Sequence, residues 1–152
     1  MGMNYTVRPG TIDDIPDVHA LVVALAHYEK APEAVVTTPE QYRRDYEAGR
    51  FELLIAEDAT TGEVVGMMLF FEAYSTWKGR MIYLDDFVVR ESLRRRGIGK
   101  LLYDALMELC RERGVALAKW QVLDWNEPAI AFYRKQNAEI EPGWYNVKRY
   151  VE

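Results

Sequence analysis

Apolar residues recur at helical spacing along two long stretches of the chain. In the clearer stretch the intervals are 3, 1, 3, 1, 3 and 1, and they join Ile98, Leu101, Leu102, Ala105, Leu106, Leu109 and Cys110. The other stretch follows Thr11 and carries Ile12, Ile15, Val18, Leu21, Val22, Leu25 and Ala26. Such periodicity predicts two amphipathic helices, the former of which ends at Gly114.

Shorter elements fill the rest of the pattern. One helix is predicted after Pro39 and another from a cap at Asn126 to about Gln136, with Pro128 in its first turn. Strands are predicted over residues 5–8, 51–57, 64–74, 80–90 and 117–123, at Ile140 and over residues 144–151. Residues 80–90 are apolar at both parities, which indicates an interior strand. This order predicts an α/β fold, a mixed sheet with helices on its faces.

Composition indicates one soluble globular domain over residues 1–152. Of the 152 residues, 49% are hydrophobic and 28% are charged, and the net charge is −5. Residues 90–100 hold five basic side chains against one acidic side chain, a local charge of +4 that leaves −9 for the remainder. The acidic balance argues against a general nucleic-acid binder, although binding through the basic turn stays an alternative.

Three further features bear on compartment and cofactor class. Cys110 is the only cysteine, so an intrachain disulfide is impossible. The N-terminal residues lack the apolar core of a signal peptide, and no apolar run approaches the ~20 residues that span a bilayer. His19 and His27 lack the spacing of metal ligands. We therefore expect a cytoplasmic protein with no membrane association and no metal site.

A basic, glycine-containing turn joins the predicted interior strand to the clearest helix. It consists of Arg94, Arg95, Arg96, Gly97, Ile98, Gly99 and Lys100. The backbone N–H groups at such a helix start suit a phosphate. A Walker loop needs glycine at 94 and Ser/Thr at 101, and a dinucleotide fingerprint needs glycine at 102, so both are excluded. The pattern Arg/Gln-x-x-Gly-x-Gly/Ala fits, and the competing interpretation is a basic helix start that faces solvent.

This pattern, after the string YLDDFVV at residues 83–89, resembles the acetyl-coenzyme A loop of the GNAT N-acetyltransferase superfamily. The string DWNEPAIAFY at residues 124–133 resembles a second signature of that superfamily. The chain is also similar to the diamine (spermidine/spermine) and thialysine N-acetyltransferase branch of this superfamily. Four short segments carry this similarity: residues 7–9, residues 26–29, Trp77-x-Gly79 and Gly143-Trp144. The resemblance runs from about Val7 to Tyr150. It implies a mostly antiparallel central sheet with helices on both faces, acetyl-CoA as co-substrate and a homodimer.

The resemblance also implies roles for individual residues. The coenzyme would contact the basic turn and the backbone of the interior strand, that is Phe87, Val88, Val89, Arg94, Arg95, Arg96, Gly97, Ile98, Gly99 and Lys100. Asn126 and Ala129 would flank its pantetheine arm. Tyr133 would sit near the sulfur, and its phenol can protonate the departing thiolate. The structural alternative is that Tyr133 only packs. The oxyanion donor is expected among the backbone N–H groups of residues 87–89.

For the amine, the resemblance favours Asp85, with Asp86, Tyr28, Glu29 and Trp77 around it. Adjacent strand residues point to opposite faces, so Asp85 and Asp86 can share a pocket only at a bulge. Each has a structural alternative: a cap or salt bridge for the aspartates, a solvated helix end for Tyr28 and Glu29, and an interface contact for Trp77.

Three positions depart from the branch. Arg95 stands where glycine is common, Asp85-Asp86 stands for a Glu-Asp pair, and Asn137 stands where a glycine usually follows the tyrosine helix. Asparagine tolerates the left-handed conformation, so a helix stop is still expected there.

The sequence thus predicts an acetyl-CoA-dependent N-acetyltransferase that acts on a small cationic amine such as a polyamine or thialysine, by direct attack in a ternary complex. Besides nucleic-acid binding through the basic turn, two alternatives stay open. One is acetylation of a protein N-terminus or lysine, and the other is a non-catalytic module that senses acyl-CoA.

Overall fold

The computed structural model describes residues 4–151. The described residues up to Trp120 form one compact unit, and those from Gln121 onward form another. The first unit holds the whole sheet, and the second holds one helix followed by irregular chain.

Five strands form the sheet of the first unit, in the order of the chain. They are β1 (Tyr5–Pro9), β2 (Glu52–Asp58), β3 (Val64–Ser75), β4 (Gly79–Val89) and β5 (Leu117–Lys119). The pairs from β1 to β4 are antiparallel, and β4 pairs with β5 in parallel. The prediction of a mixed, mostly antiparallel sheet is confirmed, and β4 is interior as its two apolar faces indicated.

Three helices belong to the first unit, and the sequence explains where each begins or ends. They are α1 (Ile15–Tyr28), α2 (Pro39–Glu47) and α3 (Ile98–Arg113). The Thr38 hydroxyl accepts a hydrogen bond from the Gln41 amide at 3.2 Å and caps α2. Gly114 ends α3 in the left-handed region at φ 67. The predicted first helix is divided, because Ile12–Asp14 is a 3-10 turn that precedes α1.

The two long helices cover opposite faces of the sheet. Residues of α1 share a buried cluster with Ile55 and Met67, whose neighbours along the strands point to the other face. Gly66 lies on that other face, where a Cβ would meet the Leu102 side chain of α3 at 3.3 Å and the Val88 carbonyl at 3.0 Å. The small residue therefore lets α3 approach β3 closely, and helices on both faces are confirmed.

Charged side chains at one end of α3 join it to three strands. Arg113 donates to both carboxylate oxygens of Glu52, at 2.8 and 2.6 Å, and to Glu72 at 3.1 Å. Arg80 donates to Glu72 at 3.2 Å and to the Arg113 carbonyl at 3.2 Å. The network thus connects α3 to β2, β3 and β4.

The second unit contains α4 (Glu127–Lys135), and this helix begins and ends at the residues that the sequence predicts. The Asn126 side chain accepts from the Ala129 amide at 3.4 Å and caps the start. At the other end Asn137 has φ 63, its amide donates to Arg134, and the Ala138 amide donates to the Tyr133 carbonyl at 3.0 Å. This is a Schellman motif with asparagine in place of glycine, so the expected helix stop is confirmed.

The last predicted strands are wrong for this structure. Residues 137–151 contain no strand or helix in the part of the chain that the structure describes, and β5 ends at Lys119 rather than at residue 123. Tyr145 and Val147 are each 94% exposed, and Trp144 is 78% exposed. A strand needs a hydrogen-bonded neighbour as well as β propensity, and this segment pairs with none of the described strands.

No helix among residues 4–151 is long and apolar enough to span a membrane.

Candidate active site

A β-bulge interrupts the pairing of β3 with β4 at the two aspartates. Leu69 pairs with Asp86 and Phe70 pairs with Leu84, so Asp85 is an extra residue in β4. The bulge suspends the alternation that would send adjacent side chains to opposite faces. The Asp85 side chain is exposed and that of Asp86 is half-buried. The structure therefore supplies the irregularity that a shared pocket requires.

Asp85, Asp86 and Glu29 form an acidic cluster beside this bulge. Burial, together with the charges of Asp85 and Glu29, raises the pKa of Asp86 to about 7. Partial desolvation by the surrounding protein also raises the pKa of Asp85 and that of Glu29, which follows the last residue of α1. A cation placed here would favour the charged carboxylates, so the cluster suits an ammonium group.

Tyr42 on α2 is a neighbour of the acidic cluster that the sequence does not reveal. Burial raises the pKa of its phenol against the effect of a hydrogen bond with Thr37, and the charges of Asp86 and Asp85 raise this pKa further. Its ring packs edge-on against His19 at 5.0 Å. From the sequence alone, Tyr42 is an aromatic residue on a short helix, and such a residue is expected to pack in the hydrophobic core.

The basic loop, residues 94–100, presents backbone donors. Arg95 and Gly97 have φ 65 and φ 82, and Gly97 is the N-cap of α3. The first helical bond runs from the Leu101 amide to the Gly97 carbonyl at 3.1 Å. Within residues 4–151, the amides of residues 95–100 donate no hydrogen bond. Since three exposed arginines flank these donors, the loop suits a polyanionic group such as a pyrophosphate.

Arg94 connects this loop to the end of α1. Its guanidinium carbon lies 4.6 Å from the centroid of the Tyr28 ring. Tyr28 is the last residue of α1 and immediately precedes Glu29. Of the two predicted amine-site residues at this end of α1, Tyr28 therefore lies beside the basic loop and Glu29 belongs to the acidic cluster.

Backbone amides of β4 face away from β3 just before the basic loop. In the described chain β5 pairs with β4 at residues 81–83 and no further. The Arg90 amide donates to the Val65 carbonyl of β3 at 2.8 Å. Because amide direction alternates along a strand, the amides of Phe87 and Val89 point away from β3. Of the backbone amides at residues 87–89 that were predicted as oxyanion donors, those of Phe87 and Val89 therefore have the required direction.

Comparison with known proteins decides the family. The family described as Acetyltransferase (GNAT) family matches residues 22–138. The chain belongs to the GNAT acetyltransferase family. It is therefore an acyl-CoA-dependent N-acetyltransferase that acts on an amine.

Several relatives resemble this acetyltransferase over most of its length. It is 34% identical to the thialysine N-epsilon-acetyltransferase of Caenorhabditis elegans over 95% of this chain and 91% of that protein. The Bos taurus protein of the same name is also 34% identical, over 91% of this chain and 88% of its own length. A crystal structure of an aminoglycoside acetyltransferase from an uncultured soil metagenomic sample superposes with a TM-score of 0.80 at 17% identity, covering 97% of each chain. That likeness supports the fold.

The second unit of the acetyltransferase carries the remaining predicted coenzyme residues. Tyr133 lies on α4 and is buried, with its ring 5.8 Å from that of Phe132. At the start of this helix the Ala129 amide donates a hydrogen bond to the Asn126 side chain. The role of Tyr133 as the acid stays a prediction.

Trp77 lies away from the acidic cluster. It lies in the turn between β3 and β4 and is 86% exposed. The turn is six residues along β4 from Asp85, or about 20 Å at the rise of a strand. A role of Trp77 in amine binding stays a prediction, and within the first unit its ring does not form part of the site around the bulge.

Proposed function

We propose that this enzyme acetylates a primary amine of a small cationic substrate, with acetyl-CoA as donor, by direct attack in a ternary complex. The observation that carries the proposal is the bulge in β4. It places Asp85 and Asp86 together, beside Glu29, on the strand whose end leads into the basic loop. One strand thus joins a cation-binding cluster to an anion-binding loop.

The residues present fit the coenzyme. The basic loop offers amides without acceptors in the described chain and three exposed arginine side chains, which match a pyrophosphate. Arg94, Gly97 and Gly99 carry the family pattern there, and Asn126, Ala129 and Tyr133 carry its second signature. When bound, acetyl-CoA supplies the acetyl group as a thioester.

The acidic cluster accounts for the amine side. An alkylammonium has a pKa near ~10.4 and must lose a proton before its nitrogen can attack. Asp85 is exposed and holds the ammonium charge, whereas Asp86, whose pKa is about 7, accepts the proton. By resemblance to the family, the amides of Phe87 and Val89 would stabilise the developing oxyanion, and the Tyr133 phenol would donate a proton to the leaving sulfur.

The relatives named thialysine N-epsilon-acetyltransferase support a small diamine or amino-thioether substrate. A thiol-release assay across a panel of spermidine, thialysine, lysine and N-terminal peptides tests this proposal. We expect turnover of the small cations. Double-reciprocal plots of initial velocity should give intersecting lines, as a ternary complex requires. Faster turnover of peptides would favour a protein acetyltransferase, and coenzyme binding without turnover of any amine would favour a sensor.

The single domain over residues 1–152, the homodimer and the cytoplasmic location remain proposals. They rest on the resemblance and the composition. Light scattering of the purified chain measures the oligomeric state, and we expect the mass of two copies.

A further inference from the structure

Arg94 differs from the ion-paired arginines of the chain in the partner that orients it. Arg8, Arg80, Arg90 and Arg113 each form an ion pair with a carboxylate. Among residues 4–151, Arg94 forms no ion pair, and its guanidinium instead lies over the Tyr28 ring at 4.6 Å.

The kind of partner matters for what Arg94 can do. A carboxylate would orient the guanidinium but would also cancel most of its charge. An aromatic face contacts the flat side of the guanidinium and leaves its positive charge and its in-plane N–H donors available. Such a contact can hold an arginine in place and keep it ready for a phosphate.

The backbone around Arg94 makes this orientation important. Arg94 precedes the left-handed residue Arg95, and its own amide donates to the Glu91 carbonyl at 3.3 Å. Fixing the Arg94 side chain therefore fixes the residue that directly precedes the row of amides in the basic loop. Preorganised donors cost less to order when a ligand binds.

We propose that Tyr28 is a positioning residue for the coenzyme loop, which it orients through the cation–π contact with Arg94. This inference rests on the proposed binding of acetyl-CoA at residues 94–100. It gives Tyr28 a task on the coenzyme side, in addition to the amine-side role that the sequence suggested. Since Glu29 follows directly, the end of α1 contacts both halves of the site.

Titration calorimetry with coenzyme A, in the absence of any amine, tests the proposal. An exposed cation–π contact is worth ~0.5–1 kcal/mol, so Tyr28→Leu should raise the Kd about 2- to 5-fold. Tyr28→Phe keeps the ring and is the matched control, with an expected Kd close to that of the wild type. Equal Kd values for Tyr28→Leu and the wild type would overturn the inference, as would equal losses in Tyr28→Leu and Tyr28→Phe.

A double-mutant cycle separates the contact from a general effect on folding. In an Arg94→Gln background, Tyr28→Leu should cause no further loss of affinity, because the contact is already absent. Additive losses would show that Tyr28 acts by another route. If the wild type binds no coenzyme A, the proposed function fails as well, whereas normal wild-type binding with additive losses overturns the positioning role alone.

A measurement on the wild type alone covers the case in which Tyr28→Leu does not fold. The side-chain protons of Arg94 should show upfield ring-current shifts in the NMR spectrum of the free protein. Random-coil shifts at Arg94 would contradict the contact and with it the proposal.

Discussion

Asp86 is a carboxyl group held where its charged form is disfavoured. Half-buried on β4, it has two other carboxyl groups for neighbours, and its pKa is about 7 against 3.8 for an ordinary aspartate. The folded protein therefore keeps a proton that the unfolded chain releases at lower pH. A binding site for a cation tolerates this cost because the ligand removes it.

This proton gives the first prediction. Since the folded pKa lies above the unfolded value, the contribution of Asp86 to stability falls as pH rises from about 4 to about 7. Asp86→Asn should thus raise the free energy of unfolding by about 1–3 kcal/mol at pH 8, and by less toward pH 4. Urea unfolding across this pH range measures it, with the exposed Asp124→Asn as control. An Asp86→Asn gain that is constant with pH would contradict the shifted pKa.

Tyr133 gives the second prediction at this scale. Tyr133→Phe removes only the hydroxyl, so turnover should fall by about one order of magnitude or more while the Kd for acetyl-CoA stays similar. Steady-state assays and calorimetry provide the two numbers. Tyr145→Phe, at an exposed position of the same unit, should leave both unchanged. Full turnover in Tyr133→Phe would remove the acid role.

Among the elements, the turn before α3 combines a ligand-binding conformation with a residue that resists it. Arg95 adopts φ 65, a region that costs a residue with a Cβ about 1 kcal/mol. Glycine, which commonly stands at this position in the branch that the sequence resembles, would relieve this strain. The side chain adds a positive charge in exchange.

We expect Arg95→Gly to raise the free energy of unfolding by about 1 kcal/mol and to weaken coenzyme A binding through the lost charge. Arg96→Gly removes the same charge at a position without positive φ, so it should weaken binding without the gain in stability. Thermal unfolding and calorimetry compare the two. Equal stability changes in both variants would argue against strain at Arg95.

Local signals in the sequence predicted most elements of the fold and named the residues of the candidate site. Pro39, Asn126 and Gly114 act at helix ends through nearest neighbours, so the sequence alone is enough to place them. The bulge at Asp85 depends on the register between two strands, which no local pattern encodes. Tyr42 comes near the aspartates only through packing of α2, and the pattern that predicted strands over residues 144–151 could not supply a partner strand.

For the whole molecule, the ion-pair network around Arg113 connects one helix to three strands. Its bidentate pair with Glu52 is partly shielded from solvent, so it should contribute more than a surface pair does.

Arg113→Gln should therefore lower the free energy of unfolding by about 1–2 kcal/mol in a single cooperative transition. Arg111→Gln, which loses an exposed pair with Glu108 at 3.3 Å, should change it by less than about 0.5 kcal/mol. Chemical denaturation monitored by circular dichroism measures both. A similar small change in the two variants would show that the network is only a surface feature.

The exposed aromatic residues also determine how such unfolding can be observed. Trp77 and Trp144 are 86% and 78% exposed, and Trp125 is 45% exposed. Their indole rings already face solvent in the folded chain, so their emission should peak near that of free tryptophan. Trp120 is the more shielded ring and packs edge-on against Tyr103 at 6.0 Å. The change in fluorescence on unfolding should therefore report mainly the end of β5.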